Sequence, residues 1–212
     1  MNWLAHLYLS EPTVAFRLGN LMPDLLAQPR WQDLPEAVQR GARCHQMIDA
    51  YTDAHAVVRR SIARIEPPLR RYGGILVDVF YDHLFLSRWS DYANQPFPAF
   101  ENEIYHAIDH AEPMIPADAA SRLMRMRQHR WLGEYASLEG IEQTLHRIGA
   151  RLRKPQALGA GVILLEREYA EFAADFAEFF PQLISRVSSE YALPLTRGTL
   201  PPACASQASG HA

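Results

Sequence analysis

Apolar residues recur three and four apart along almost the whole chain, while alternating apolar and polar runs bounded by turn residues are scarce. This periodicity predicts helices over roughly 2–9, 13–27, 35–64, 67–89, 97–111, 117–130, 138–152 and 160–191, with Pro181 kinking or dividing the last. The fold class that follows is all-α. The last segment has the clearest amphipathic pattern: Tyr169, Phe172, Phe176, Phe179, Leu183 and Val187 share one face, and Glu168, Glu171, Asp175 and Glu178 occupy others. Such a stripe is core scaffold. Beyond it, "TRGTLPPACASQASGHA" lacks periodicity and is rich in small residues and proline. Residues 1–195 are therefore expected to form a single all-α domain and residues 196–212 a mobile tail.

Composition narrows the function classes. A formal net charge of -3 over 212 residues excludes a wholesale polyanion binder, so any basic surface must be local. Cys44 and Cys204 stand far apart with no second cysteine at ligand spacing, which argues against a disulfide framework and against a thiolate zinc site. The opening "MNWLAHLYLSEP" has no basic leader, carries His6 in its apolar run and is closed by Glu11-Pro12, unlike a signal peptide. The most apolar later stretch, "GILVDVFYDHLFL", holds two aspartates and is too short to span a bilayer. A cytoplasmic protein is expected.

The informative residues are charges inside apolar helices. In "ILVDVFYDHLFLSRW", Asp78 and Asp82 lie four apart on one face with little room for a solvated side. Like carboxylates so placed repel, and burying them uncompensated costs several kcal/mol, so an arginine, a protonated histidine or a divalent cation is expected opposite. In "HQMIDAYTDAH", His45, Asp49, Thr52 and Asp53 fall within one arc, and Met47, Ile48, Tyr51 and His55 within another. Taken alone, the polar arc reads as a solvated face with an ordinary His45/Asp49 pair. His6 alone reads as a core histidine bonded to a carbonyl, and Asp24 after "GNLMP" as a cap. Together, His6, Asp24, His45, Asp49, Asp78, Asp82 and His83 supply imidazole and carboxylate ligands without thiolate, a set suited to Mn²⁺, Fe²⁺ or Zn²⁺. The chain has no GxSxG elbow, no GxxxxGK[ST] loop and no HExxH helix, which leaves a metal as the best source of catalytic power.

The combination "NWLAHLYLS", "GNLMPDLL", "HQMIDAYTDAH", "GGILVDVFYDHLFLSRW" and "WLGEYASLEGIEQTL" resembles the acyl carrier protein phosphodiesterase family, from Asn2 to about Lys154 and in order as well as spacing. The resemblance implies a compact helical, HD-domain-like metallohydrolase. Its members remove 4′-phosphopantetheine from the serine of holo-acyl carrier protein, with Mn²⁺ as the usual metal. Carried over by motif, it implies His6, Asp24, His45 and Asp78 as metal ligands and Asp24, Asp49, Asp82 and His83 as catalytic groups. The residue that protonates the departing serine oxygen or orients the water stays open among Asp49, Asp53, Asp82 and His83. The chain departs from the HD superfamily in having no adjacent His-Asp pair, only the reverse order at Asp82-His83 and Asp109-His110, the latter read as surface.

An acidic carrier protein calls for a local basic surface. Residues 57–72 hold five arginines against Glu66 alone, and residues 122–154 hold seven arginines and Lys154 against three glutamates. Arg59, Arg64, Arg122 and Arg125 are the expected partner-binding residues, since guanidinium groups grip carboxylates in a bidentate way; the plain alternative is solvated helix faces. Two rival functions use the same features: a metal-dependent nucleotide phosphohydrolase, and a non-catalytic helical adaptor for an acidic partner. No nucleic-acid-binding motif accompanies the basic segments.

Overall fold

The computed structural model describes residues 1–26, 30–111, 114–154 and 156–193; the expected tail at 196–212 lies outside them. Among the described residues the apolar stripes resolve into α1 (Trp3–Tyr8), α2 (Val14–Gly19), α3 (Met22–Leu25), α4 (Glu36–Ala54), α5 (Ala56–Ala63), α6 (Gly73–Ser87), α7 (Trp89–Tyr92), α8 (Phe97–Asp109), α9 (Ala117–Gln128), α10 (Trp131–Glu134), α11 (Leu138–Arg151), α12 (Val162–Arg167) and α13 (Tyr169–Tyr191), with no strand. No helix among them is long and apolar enough to cross a membrane.

Helix α6 is the axis of the core. It packs against α1, α5, α11 and α13, and Leu76, Val77, Val79, Phe80, Tyr81, Leu84 and Phe85 are all buried. Phe80 meets Phe172, Tyr81 meets Phe176 and Phe85 meets Phe180, so the stripe of α13 is spent on this helix. Each such ring contributes roughly 1.5–3 kcal/mol by leaving water. A helix covered on nearly every side offers its polar residues little solvent, which is why its aspartates must find partners in the protein.

Three expected helices are broken, each for a local reason. The segment expected at 160–191 divides at Glu168 (φ -117, ψ 31), and α13 runs unbroken through Pro181. Proline forfeits one helical N–H, but Phe176, Phe179, Phe180 and Leu183 on either side are buried in the same core and keep the helix continuous. The segment expected at 35–64 breaks at His55 (ψ 131), whose Nδ1 accepts from Val57 N at 3.3 Å and so caps α5. This end-capping role fits the apolar arc to which His55 was assigned.

The third break positions the site. α2 stops at Gly19 because α2 and α4 touch backbone to backbone there. A Cβ at Gly19 would stand 2.0 Å from Val38 O, and one at Gly41 would stand 2.2 Å from Phe16 O. Only glycine permits this approach. The crossing lays Asn20, the next residue, against His45 on α4.

Candidate active site

Two buried histidines and one asparagine form the base of the site. His6 on α1 and His45 on α4 stack with ring centroids 4.0 Å apart and an interplanar angle of 19°. Asn20 anchors both. His6 Nδ1 stands 3.1 Å from Asn20 Oδ1, and His45 Nδ1 stands 2.7 Å from Asn20 O. Asn20 Nδ2 in turn donates to His6 O at 2.9 Å and to Ser10 Oγ at 2.8 Å, which fixes which amide atom faces His6. His45 Nδ1, turned to a carbonyl oxygen, carries the proton and leaves Nε2 to face the other side, whereas His6 has an oxygen acceptor at each ring nitrogen.

What Nε2 faces is carboxylate. His6 Nε2 lies 3.1 Å from Asp49 Oδ1, and His45 Nε2 lies 3.0 Å from Asp49 Oδ2 and 3.7 Å from Asp24 Oδ1. Met1 O also stands 3.1 Å from His6 Nε2. Lone pairs on two imidazoles aimed at carboxylate oxygens repel unless a cation, either a proton or a metal ion, stands between them. The donor set of His6, His45 and Asp49, with ligand atoms mutually within 4.8 Å, therefore fits a hard-to-borderline divalent ion. The titration directions agree. Burial and the neighbouring His45 charge lower the pKa of His6. Burial would lower that of His45 too, but Asp49, Asp24 and the Asn20 carbonyl raise it. Asp49 is pushed the other way by burial, yet His45 and His6 hold it below the ordinary carboxylate range.

Asp49 is also the floor of a cleft of about 340 Å³, whose acidic wall is completed by Asp24 and Asp78. Asp24 is oriented by Trp3, whose Nε1 donates to Oδ2 at 2.7 Å. Asp78 lines the cleft without joining the His6–His45–Asp49 cluster; its Oδ1 accepts from the Met1 α-amino group at 2.8 Å. The positive partner expected opposite Asp78 and Asp82 is therefore neither arginine nor histidine.

Asp82, expected as a catalytic group, is fully buried, and its carboxylate accepts from Leu4 N at 2.8 Å and Ala5 N at 3.3 Å. It caps the first turn of α1 from a different helix, a role invisible to helical spacing. His83 is likewise directed elsewhere, with Nδ1 2.8 Å from Tyr135 O and its ring against Tyr169. Thr52 bonds back to Ile48 O, and Asp53 is exposed one turn beyond Asp49. Asp109 pairs with Arg127 at 2.8 Å, and Asp109 and His110 are exposed, as expected of a surface pair.

Burial pushes the Asp82 carboxyl up to about 7, above its ordinary value, despite the α-amino charge and the two backbone donors. A folded-state pKa above the unfolded one means that the native state holds the proton longer, so stability falls as pH rises from about 4 to about 7. Asp82→Asn is expected to flatten that fall by about 1–4 kcal/mol, measured by urea unfolding in chelator at pH 5 and pH 7.5. Equal pH slopes in the two proteins would show that Asp82 does not titrate in this window.

The family model for acyl carrier protein phosphodiesterase matches residues 1–183. The chain belongs to the acyl carrier protein phosphodiesterase family. Among relatives of that name, the protein of Photorhabdus laumondii is 30% identical over 201 residues, covering 92% of this chain and 100% of its own. That of Pectobacterium atrosepticum is 27% identical over 191 residues (90% and 99%), and that of Escherichia coli O157:H7 is 29% identical over 192 residues (89% and 98%). No solved structure matches the chain.

Within this phosphodiesterase family, the arginines sort differently in space than along the sequence. Arg64, expected as a docking residue, places its Nε 3.3 Å from Asp175 Oδ2, in a seam where Arg60 Nε and Ser61 Oγ also bind that buried carboxylate, each at 2.7 Å. Arg127, Arg130 and Arg147 are paired with Asp109, Glu101 and Glu134. Arg59 and Arg125 remain exposed with no ion pair among the described residues, and Arg122 lines the cleft. Sequence reading missed Asn20, whose signal was only its place after a helix-ending glycine, and Trp3, which carried none; Arg151 it placed only within the basic stretch at 122–154.

Proposed function

We propose that this protein hydrolyses the phosphodiester of holo-acyl carrier protein, releasing 4′-phosphopantetheine and apo-acyl carrier protein, with a divalent ion at His6, His45 and Asp49. The observation that carries this reading is the convergence of two buried imidazole Nε2 atoms on one carboxylate at the floor of an open cleft, in a chain of this family. Mn²⁺ is the preferred ion, supported by nitrogen and oxygen donors without sulfur. When bound, such an ion lowers the pKa of water and offsets charge on phosphoryl oxygens. The chain's own residues do the rest. Asn20 anchors both imidazoles and holds His45 in the tautomer that presents Nε2. Asp24, held by Trp3 and 3.7 Å from His45 Nε2, is the carboxylate oriented to take a proton at the cleft. A cytoplasmic setting goes with this reading, supported by a chain with only two cysteines.

Mass spectrometry of holo-acyl carrier protein incubated with the protein and Mn²⁺ tests the reading. Loss of the phosphopantetheine mass is expected, silenced by chelation and restored by added Mn²⁺. Turnover of nucleoside phosphates but not of holo-carrier protein would select a nucleotide phosphohydrolase instead. Full activity in chelator-treated protein would remove the metal from the mechanism, and binding without turnover would mark an adaptor.

A further inference from the structure

The cleft is lined by two sets of opposite charge that do not pair with each other. Asp24, Asp49 and Asp78 form one, with the Met1 α-amino group beside Asp78 and Asp49; Arg122 from α9 and Arg151 from α11 belong to the other. Among the described residues, neither arginine comes within ion-pair distance of these aspartates or of any other acid. Arg122 spends one donor, Nη1, on Leu25 O at 3.1 Å. Arg151 is held by the face of Trp131, 5.7 Å from the ring centroid, with Arg147 at 5.0 Å on the same ring. Stacking fixes a guanidinium in place while leaving its N–H fork free. Partial burial and the like charges of Arg122, Arg147 and Arg125 together lower the pKa of Arg151.

We propose, building on the phosphodiesterase reading, that Arg122 and Arg151 grip the non-bridging oxygens of the substrate phosphodiester in this cleft. Charge then alternates through the site: carboxylates, divalent cation, phosphodiester, guanidinium pair. This order explains why the two sets are not collapsed into salt bridges, since each is the counterpart of a different part of a cation–phosphate pair. A carboxylate of a docking protein would satisfy the same donors. The cleft favours the phosphodiester, because both arginines line it together with Ile75, Ile148 and Leu152, an apolar lining suited to the organic arm of a diester.

The test is isothermal titration of inorganic phosphate into the Mn²⁺-loaded protein, with Mn²⁺ affinity measured separately by the electron-paramagnetic-resonance signal of free ion. Arg122→Gln and Arg151→Gln are each expected to weaken phosphate binding about tenfold or more, with Mn²⁺ affinity held within about threefold and far-UV circular dichroism unchanged. Arg151→Lys should recover part of the loss, because charge returns without the planar fork. The Michaelis constant for holo-carrier protein should rise in parallel. Arg186→Gln, which breaks a surface pair with Glu190, should match wild type. Unchanged phosphate affinity in both glutamine variants, a parallel fall in Mn²⁺ affinity, or no phosphate binding by the wild type would each overturn the clamp. Should either glutamine variant fail to fold, Arg151→Lys and the remaining variant still decide it. Failure of the wild type to turn over holo-carrier protein, with arginine-dependent phosphate binding intact, would reject the phosphodiesterase reading and leave the clamp standing.

Discussion

Asp49→Ala is expected to lower turnover on the order of 10³-fold and to abolish tight Mn²⁺ binding while leaving helical content near wild type. The loss should exceed the roughly 10–100-fold typical of residues that only orient a ligand. Among the described residues, Asp49 is the one side chain whose two oxygens reach both imidazoles, at 3.1 Å and 3.0 Å. Its side chain is also 43% exposed toward the cleft, so its removal opens no core cavity. Without it, two buried rings 4.0 Å apart lose their shared counter-charge. Asp49→Asn should behave alike, because it keeps volume and loses charge. Turnover within tenfold of wild type for either variant, measured on samples whose circular dichroism matches, would remove Asp49 from the centre of the site.

The second large effect is expected from a residue without charge. Asn20→Ala should weaken Mn²⁺ binding about 10–100-fold and lower folding stability by about 1–3 kcal/mol. The substitution strands His6 Nδ1 in the core and removes the donor to Ser10 Oγ, while the backbone carbonyl that holds His45 survives. The two histidines should therefore part company: His6 loses its Nδ1 acceptor and His45 keeps its own. Nitrogen-15 spectra of the imidazoles would report this directly. Ser10→Ala, which removes only the outer link of the chain, should bind Mn²⁺ nearly as wild type. Equal metal affinity in Asn20→Ala, or identical changes in both rings, would deny Asn20 its orienting role.

The helices themselves were readable because period 3.6 survives in any amphipathic sequence, and the all-α architecture follows from it. Within one helix the same geometry reached the site: His45 and Asp49 are an i,i+4 pair and do face each other. Sequence spacing fails where partners come from different helices. Asp82 looked like half of an acidic ligand pair because nothing in its own helix reveals that its carboxylate meets the N–H groups of Leu4 and Ala5. Arg64 looked free because its partner, Asp175, is 111 residues away. Charge segregated along a sequence is thus not charge segregated in space. Pro181 shows a third limit, since no division of the helix follows from its backbone chemistry where buried aromatic residues precede it and Leu183 and Val187 follow it in the same core.

The glycine contact between α2 and α4 bears on how this scaffold can be engineered. A scan for thermostability by helix propensity would nominate Gly41→Ala, since Gly41 lies inside α4 and alanine is favoured there by about 1 kcal/mol. Here the nomination misleads: the new methyl would arrive 2.2 Å from Phe16 O, and the helices would have to separate. Separation would carry Asn20 away from His45, so a change chosen to harden the protein would loosen its imidazole pair. Gly19 and Gly41 are best fixed together, as one locus, in any library built on this fold.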